Sequence, residues 1–306
     1  MTRRSLAFAA ATLASIVMLA ASTAAQATLI PPVRGVQYGP SPLDIATIYI
    51  PASQTQSVNA AASARAGLAA ASAGAPAVVL VHGGGWRQQP NETEQPTVAN
   101  DLRYQGFTVF DINYPQANSH ETAFPKQPEA VEAAVDWVQE HGGEYGANPA
   151  NVVLVGGSAG GNLVDLAGEQ LAGVRGVVSL SGPTNLETLV QLGQEAGLKS
   201  SLAISLSIAL GCGREILGWE KIFACTNTAF ERQFSPVYNV PRGACPNWQL
   251  FAAEEDLVPA SQQEEFLTAL QAAGCNASLE VLSGKGHAFG YWWRVKSTIY
   301  SFIEAN

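Results

Sequence analysis

An α/β fold with a mostly parallel central sheet is what this 306-residue sequence predicts, and three observations predict it. Short runs of Val, Ile, Leu and Ala alternate along the chain with longer stretches suited to helices. One run, Val152-Val153-Leu154-Val155, feeds directly into Gly156-Gly157-Ser158-Ala159-Gly160-Gly161. Another, over 77–81, feeds into His82-Gly83-Gly84-Gly85-Trp86. A strand that is apolar at every position is buried on both faces, and parallel strands joined through helices provide that burial.

The chain opens with a segment that does not belong to the fold. Arg3 and Arg4 form a basic start, 6–21 is an unbroken small and apolar run, and Ala25-Gln26-Ala27 supplies an A-x-A cleavage signal. Residues 1–27 therefore read as a secretory signal peptide cut after Ala27, which places the protein outside the cell or in the periplasm. Thr2-Arg3-Arg4-Ser5-Leu6 also resembles a twin-arginine signal. The apolar run is short for a membrane span, and no later segment is long enough, so no stable membrane insertion is expected. The mature chain, 28–306, suits one domain with one large core.

The first strand is predicted over 45–50. Residues 53–75 are nearly all Ala, Ser, Gln and Gly with no apolar period, and read as a flexible surface insertion. Strands follow over 77–82, 107–113, 151–156, 176–181, 248–253 and 279–282. Helices are predicted over 94–105, 126–141, 159–172, 260–273 and 291–304. Residues 186–232 interrupt this alternation with apolar, helix-like sequence at 202–210 and two cysteines. Lying between two core strands, they are predicted to form a small lid over the carboxyl edge of the sheet, where ligands bind in such folds.

Charge and cysteines narrow the function classes. Losing Arg3 and Arg4 with the leader takes the net charge from −9 to −11, which repels phosphate backbones, so no nucleic-acid partner is expected. Cys212, Cys225, Cys245 and Cys275 are an even set in an exported chain and imply two disulfides, with three pairings open. Cys212 with Cys225 is favoured as a short loop inside one insertion. Cys245 and Cys275 each precede a predicted strand, and adjacent parallel strands begin side by side, so that pair fits as well. No Cys or His pair has metal-ligand spacing, and no metal is expected.

The strand–glycine–serine–glycine–helix context makes Ser158 a nucleophile candidate held on a sharp turn. Gly156 and Gly160 are expected to lack side chains because these would collide across that turn. A serine hydroxyl needs a base within hydrogen-bond reach, and His287 is the one histidine after Ser158. Two aspartates lie between them. Asp165 sits about two turns down the following helix and leads away, whereas Asp256 opens a loop after the strand 248–253. Asp256 is therefore the candidate acid, with Glu254 and Glu255 as alternatives. The glycine run after His82 supplies backbone amides to a developing oxyanion, together with the amide of Ala159. His82 reads as a residue that pins this loop. Trp86, Trp292 and Trp293 are candidates for an acyl or aryl pocket or for packing, and Trp86 is taken as the substrate-binding one.

At these residues the chain resembles the α/β-hydrolase superfamily, and within it the bacterial hormone-sensitive-lipase-like and BD-FAE-like esterases. The resemblance runs from about residue 45 to the C-terminus and includes Leu102-Arg103-Tyr104-Gln105-Gly106-Phe107-Thr108-Val109 before Asn113-Tyr114. Phe124-Pro125 and Phe234-Ser235-Pro236 belong to it too. Tyr114-Pro115 departs from the Tyr-Arg of many relatives, and the cysteine-bearing lid is not a general family feature. The resemblance implies an α/β-hydrolase fold with helices on both faces of the sheet. It implies Ser158 as nucleophile, Asp256 as acid, His287 as base, and the amides of Gly83, Gly84 and Ala159 as the oxyanion hole. The implied activity is a secreted carboxylic-ester hydrolase without cofactor, acting on a small-molecule or polymer-attached ester. A prolyl-oligopeptidase-like peptidase and a non-catalytic binding protein of the same fold are the competing readings.

Overall fold

The computed structural model describes residues 30–51, 74–87, 95–118, 120–196, 201–216, 220–223, 225, 227–241 and 243–306. The predicted signal peptide lies outside them, as does nearly all of the predicted insertion 53–75. The last residue of that insertion, Ala75, is instead the first of a core strand.

Among the described residues, eight strands form one sheet. Strands β1 (Val33–Gln37) and β2 (Ile45–Tyr49) pair antiparallel, and β2 runs antiparallel to β4 (Thr108–Ile112). From β4 onward every pairing is parallel, through β3 (Ala75–Val81), β5 (Ala147–Gly157), β6 (Val174–Leu180), β9 (Asn247–Glu255) and β10 (Ala277–Lys285). The register sets Val79 of β3 beside Phe110 of β4 and Leu154 of β5, and Leu154 beside Val177 of β6.

Alternate residues of these strands face opposite cores. Val79, Leu154 and Leu250 pack with helices α2 (Lys126–His141), α3 (Ala159–Gln170) and α7 (Ser261–Ala272). Val78, Leu80, Val153, Val155 and Phe251 pack with α1 (Pro96–Tyr104) and α8 (Trp292–Ala305) on the other side. Burial of both faces is why the apolar runs in the sequence are continuous rather than alternating.

The connections after β3 and β5 place the site. The chain leaves β3 toward α1 on one face and leaves β5 toward α3 on the other. Neighbouring parallel strands whose continuations diverge in this way leave a crevice at their carboxyl ends. The loop 82–87 and Ser158 emerge there.

Two features differ from the sequence expectation. Strand β1 has no predicted counterpart, because its residues are almost all exposed at the sheet edge and carry no apolar run. Residues 186–232 contain the expected helix near 202–210, here α5 (Ser201–Ala209), but also a helix with no predicted counterpart, α4 (Leu186–Ala196), an antiparallel hairpin, β7 (Gly213–Ile216) with β8 (Glu220–Phe223), and the start of α6 (Thr228–Gln233). Four-residue strands are too short to show a period. Disulfide Cys212–Cys225 brackets this hairpin, with its Cα atoms 4.9 Å apart. Cys245–Cys275 joins the segments that enter β9 and β10, with Cα atoms 5.5 Å apart. Among the described residues, no helix is long and apolar enough to cross a membrane.

Candidate active site

Ser158 stands between the last residue of β5 and the first of α3, with φ 56° and ψ −123°, a conformation rarely adopted by residues other than glycine. Its neighbours make the turn possible. A Cβ on Gly156 would strike the carbonyl of Gly160, as the sequence suggests. A Cβ on Gly160, however, would strike the carbonyls of Val81 and His82 rather than Gly156. Gly160 is thus required because the first turn of α3 lies directly on the end of β3. That contact brings Ser158 against the glycine loop.

His287 lies in the loop after β10, ahead of a short 3-10 helix, Ala288–Tyr291. Its Nε2 is 2.9 Å from Ser158 Oγ and its Nδ1 is 2.6 Å from Asp256 Oδ1. A carboxylate can only accept hydrogen bonds, so Nδ1 donates to Asp256 and Nε2 is left to accept the Ser158 O–H. Asp256, just past β9, is 0% exposed in its side chain, and Oδ1 also accepts the Val258 amide at 3.1 Å. The imidazole is 29% exposed and borders the same cavity as Ser158.

The other acids are engaged elsewhere. Glu254 accepts the Gly284 amide at 2.9 Å, and Glu255 lies 3.5 Å from Lys285, both on the surface. Asp165 is buried within the fold and accepts the Ser179 hydroxyl at 2.7 Å. Burial raises its carboxyl well above the usual range.

Sequence reasoning misses Ser181, which follows β6 with φ 52°. Its hydroxyl donates to Asp256 Oδ2 at 2.6 Å and accepts from the Ala288 amide at 2.9 Å. The Tyr291 hydroxyl lies 2.7 Å away and completes its coordination. Burial pushes the Tyr291 phenol up, so it stays protonated. Nothing in the local sequence Leu180-Ser181-Gly182 signals this role, since the partners come from β9 and the His287 loop.

The glycine loop abuts the serine. A Cβ on Gly83 would sit 2.9 Å from the Gly157 carbonyl oxygen and 3.1 Å from Ser158 Cβ. His82 Nδ1 donates to the Gly83 carbonyl at 2.7 Å, and its ring stacks on Tyr114 at 4.3 Å. Burial lowers the His82 pKa and keeps the ring neutral. Ala159 is the first residue of α3, where backbone N–H groups have no partner within the helix. Gly83, Gly84, Ser158 and His287 border one cavity of about 310 Å³.

Trp86 also borders this cavity, but its ring is buried and its indole N–H donates to Asn162 Oδ1 at 3.1 Å. That bond ties the glycine loop to α3. Trp292 is buried and bonded to Asp101, and Trp293 is exposed beneath Lys296. Leu202 and Ser205 of α5 form part of the wall, and Leu257 and Phe289 another.

A BD-FAE family model matches residues 68–270. Esterase LipQ of Mycobacterium tuberculosis is 25% identical over 229 residues, which cover 73% of this chain and 52% of that protein. The chain thus spans about half the length of that relative. A truncated carbohydrate esterase from gut microbiota superposes with a TM-score of 0.68 at 18% identity, covering 92% of this chain and 99% of that one. A hyperthermophilic esterase from the archaeon Pyrobaculum calidifontis gives 0.65 at 20% identity, covering 90% and 85%. At such identities the likeness is one of fold, and it identifies the α/β-hydrolase fold. Holding that fold and matching the family model across most of its length, the chain belongs to the BD-FAE family.

Proposed function

We propose that the protein is a serine carboxylic-ester hydrolase that works through an acyl-enzyme. The observation that carries this reading is the continuous relay from Ser158 Oγ through His287 to Asp256, with links of 2.9 and 2.6 Å. The esterase names of the relatives agree with it.

In this reading Ser158 Oγ attacks the ester carbonyl carbon as its proton passes to His287 Nε2. The carbonyl π pair moves onto oxygen, where the amides of Gly83, Gly84 and Ala159 hold the charge. Asp256 keeps the proton on Nδ1 and stabilises the imidazolium without taking that proton. His287 then protonates the departing alcohol oxygen, the carbon–oxygen bond breaks, and the acyl group remains on Ser158. Water repeats the sequence and releases the acid. No step calls for a metal or organic cofactor.

A cavity of about 310 Å³ suits a small or aryl acyl group rather than a long chain. Ser201, Leu202 and Ser205 of α5 form one wall, so this helix sets the size of that group. Export through the N-terminal leader agrees with the two disulfides, which persist in oxidising compartments. The test is an alkyl fluorophosphonate probe followed by peptide mapping. Stoichiometric modification at Ser158 is expected; modification elsewhere, or none in folded protein, overturns the assignment.

A further inference from the structure

Arg87 is a charged side chain on the wall of the catalytic cavity to which ester hydrolysis itself gives no task. We propose that it forms a subsite for a carboxylate borne by the substrate, so that the preferred esters are monoanions such as dicarboxylic half-esters. This rests on the ester-hydrolase reading above.

The backbone beneath Arg87 is tied down on several sides. The Trp86 carbonyl accepts from the Ala117 amide at 2.8 Å and from Gln127 Nε2 at 2.6 Å, and Arg87 itself bridges to Ala117. The side chain is anchored as well, since its Nε–H donates to Ser205 Oγ at 3.0 Å. Ser205 is pressed so closely on the loop that a Cβ on Gly85 would sit 2.6 Å from its Oγ. The guanidinium is therefore held in place before any ligand arrives.

Its donors are mostly unspent. A guanidinium is always protonated and has five N–H groups, of which the Ser205 bond uses one. Among the described residues no other hydrogen bond or ion pair engages it. Among the described residues that line the cavity there is no Asp or Glu, and Arg87 and His287 are the only titratable side chains. Terminal guanidinium nitrogens form a planar fork that matches a carboxylate with two parallel hydrogen bonds. A neutral ester would offer the terminal N–H groups of this half-buried cation no charged acceptor.

The acidic surface does not exclude such a ligand. Charges beyond about 8 Å are screened at physiological salt, so inside the cavity the nearby guanidinium dominates. If Arg87 served only to latch the loop to α5 through Ser205, charge on the substrate would bring no advantage.

The test compares matched esters by kcat/KM. Monoethyl glutarate against ethyl pentanoate places the charge on the acyl side, and 4-acetoxybenzoate against 4-methylphenyl acetate places it on the alcohol side. In at least one pair the anion is expected to win by about tenfold, a typical gain for a charge-assisted bidentate pair. Arg87→Gln should bring that ratio to about one, and about 1 M salt should reduce it in the unmodified protein. Neutral esters equal or better in both pairs, or a preference that survives Arg87→Gln, overturn the subsite. Calorimetric titration of monoethyl glutarate into Ser158→Ala protein, with and without Arg87→Gln, separates the two readings. Arg87-dependent binding with no ester hydrolysis by the unmodified protein overturns the hydrolase reading and keeps the subsite. Absence of such binding together with no anion preference overturns the subsite alone.

Discussion

The Ser181 hydroxyl lies 2.6 Å from Asp256 Oδ2, on the side of the carboxylate opposite His287. Every bonding position of that hydroxyl is used, with its proton on Asp256 and its lone pairs toward the Ala288 amide and Tyr291. It thus fixes the carboxylate and the residue after His287 through one atom. The backbone cost is a left-handed serine, about 1–2 kcal/mol, held in place by its surroundings.

Ser181 is predicted to act as a positioning residue for Asp256. Both Ser181→Ala and Ser181→Gly should lower kcat by about 10- to 100-fold with little change in KM, the range for losing a hydrogen bond to a charged group. Glycine removes the hydroxyl but relaxes the backbone. A Ser181→Gly variant with unchanged kcat would therefore assign the residue a purely conformational role.

Gly83→Ala is expected to reduce kcat by about 10²–10³, the usual penalty for a lost oxyanion donor. The added methyl would lie 2.9 Å from the Gly157 carbonyl and push the loop off Ser158. Steady-state kinetics beside circular dichroism separates this from misfolding; full activity in a folded variant contradicts the placement of the hole.

Stability should depend on pH through two acids of α3. Burial raises the carboxyls of Asp165 and Glu169 well above their ordinary values, and both Glu169 oxygens are buried without a partner among the described residues. Raised native pKa values mean that the folded state keeps protons which the unfolded state releases above about pH 4. Their stabilising contribution is complete below that point and is lost as pH rises toward the native values. Tm measured across this window should fall with pH, and Glu169→Gln should flatten the slope. An identical slope in the variant would contradict the assignment.

Removing Cys245–Cys275 with serines should cost about 3–4 kcal/mol in denaturant unfolding, given the 30-residue separation. Ester turnover should stay within about twofold, because the bond lies where β9 and β10 begin, at the sheet edge opposite Asp256. A large loss of kcat in folded protein would show that strand ends communicate across the sheet.

Much of the candidate site is legible in the sequence because the residues it brings together have few competitors. Only one histidine follows Ser158, and Asp256 is separated from Asp165 by its place after a strand. Each lies at the carboxyl end of an element that the apolar pattern marks. Ser181 is not legible, since a serine at a strand end has many ordinary explanations and its partners come from 75 to 110 positions away in the chain. Gly160 is legible as a glycine requirement but not for its reason, which depends on β3 lying beside β5. The edge strand β1 and the hairpin β7–β8 lack the burial that writes a period into sequence.

The central claim is that Ser158 is the nucleophile of an ester hydrolase, and p-nitrophenyl butyrate turnover by Ser158→Ala tests it most directly. If Ser158, His287 and Asp256 act as a unit, kcat falls by about 10⁶ while the variant unfolds like the unmodified protein. Turnover within about tenfold of the unmodified enzyme would contradict the account.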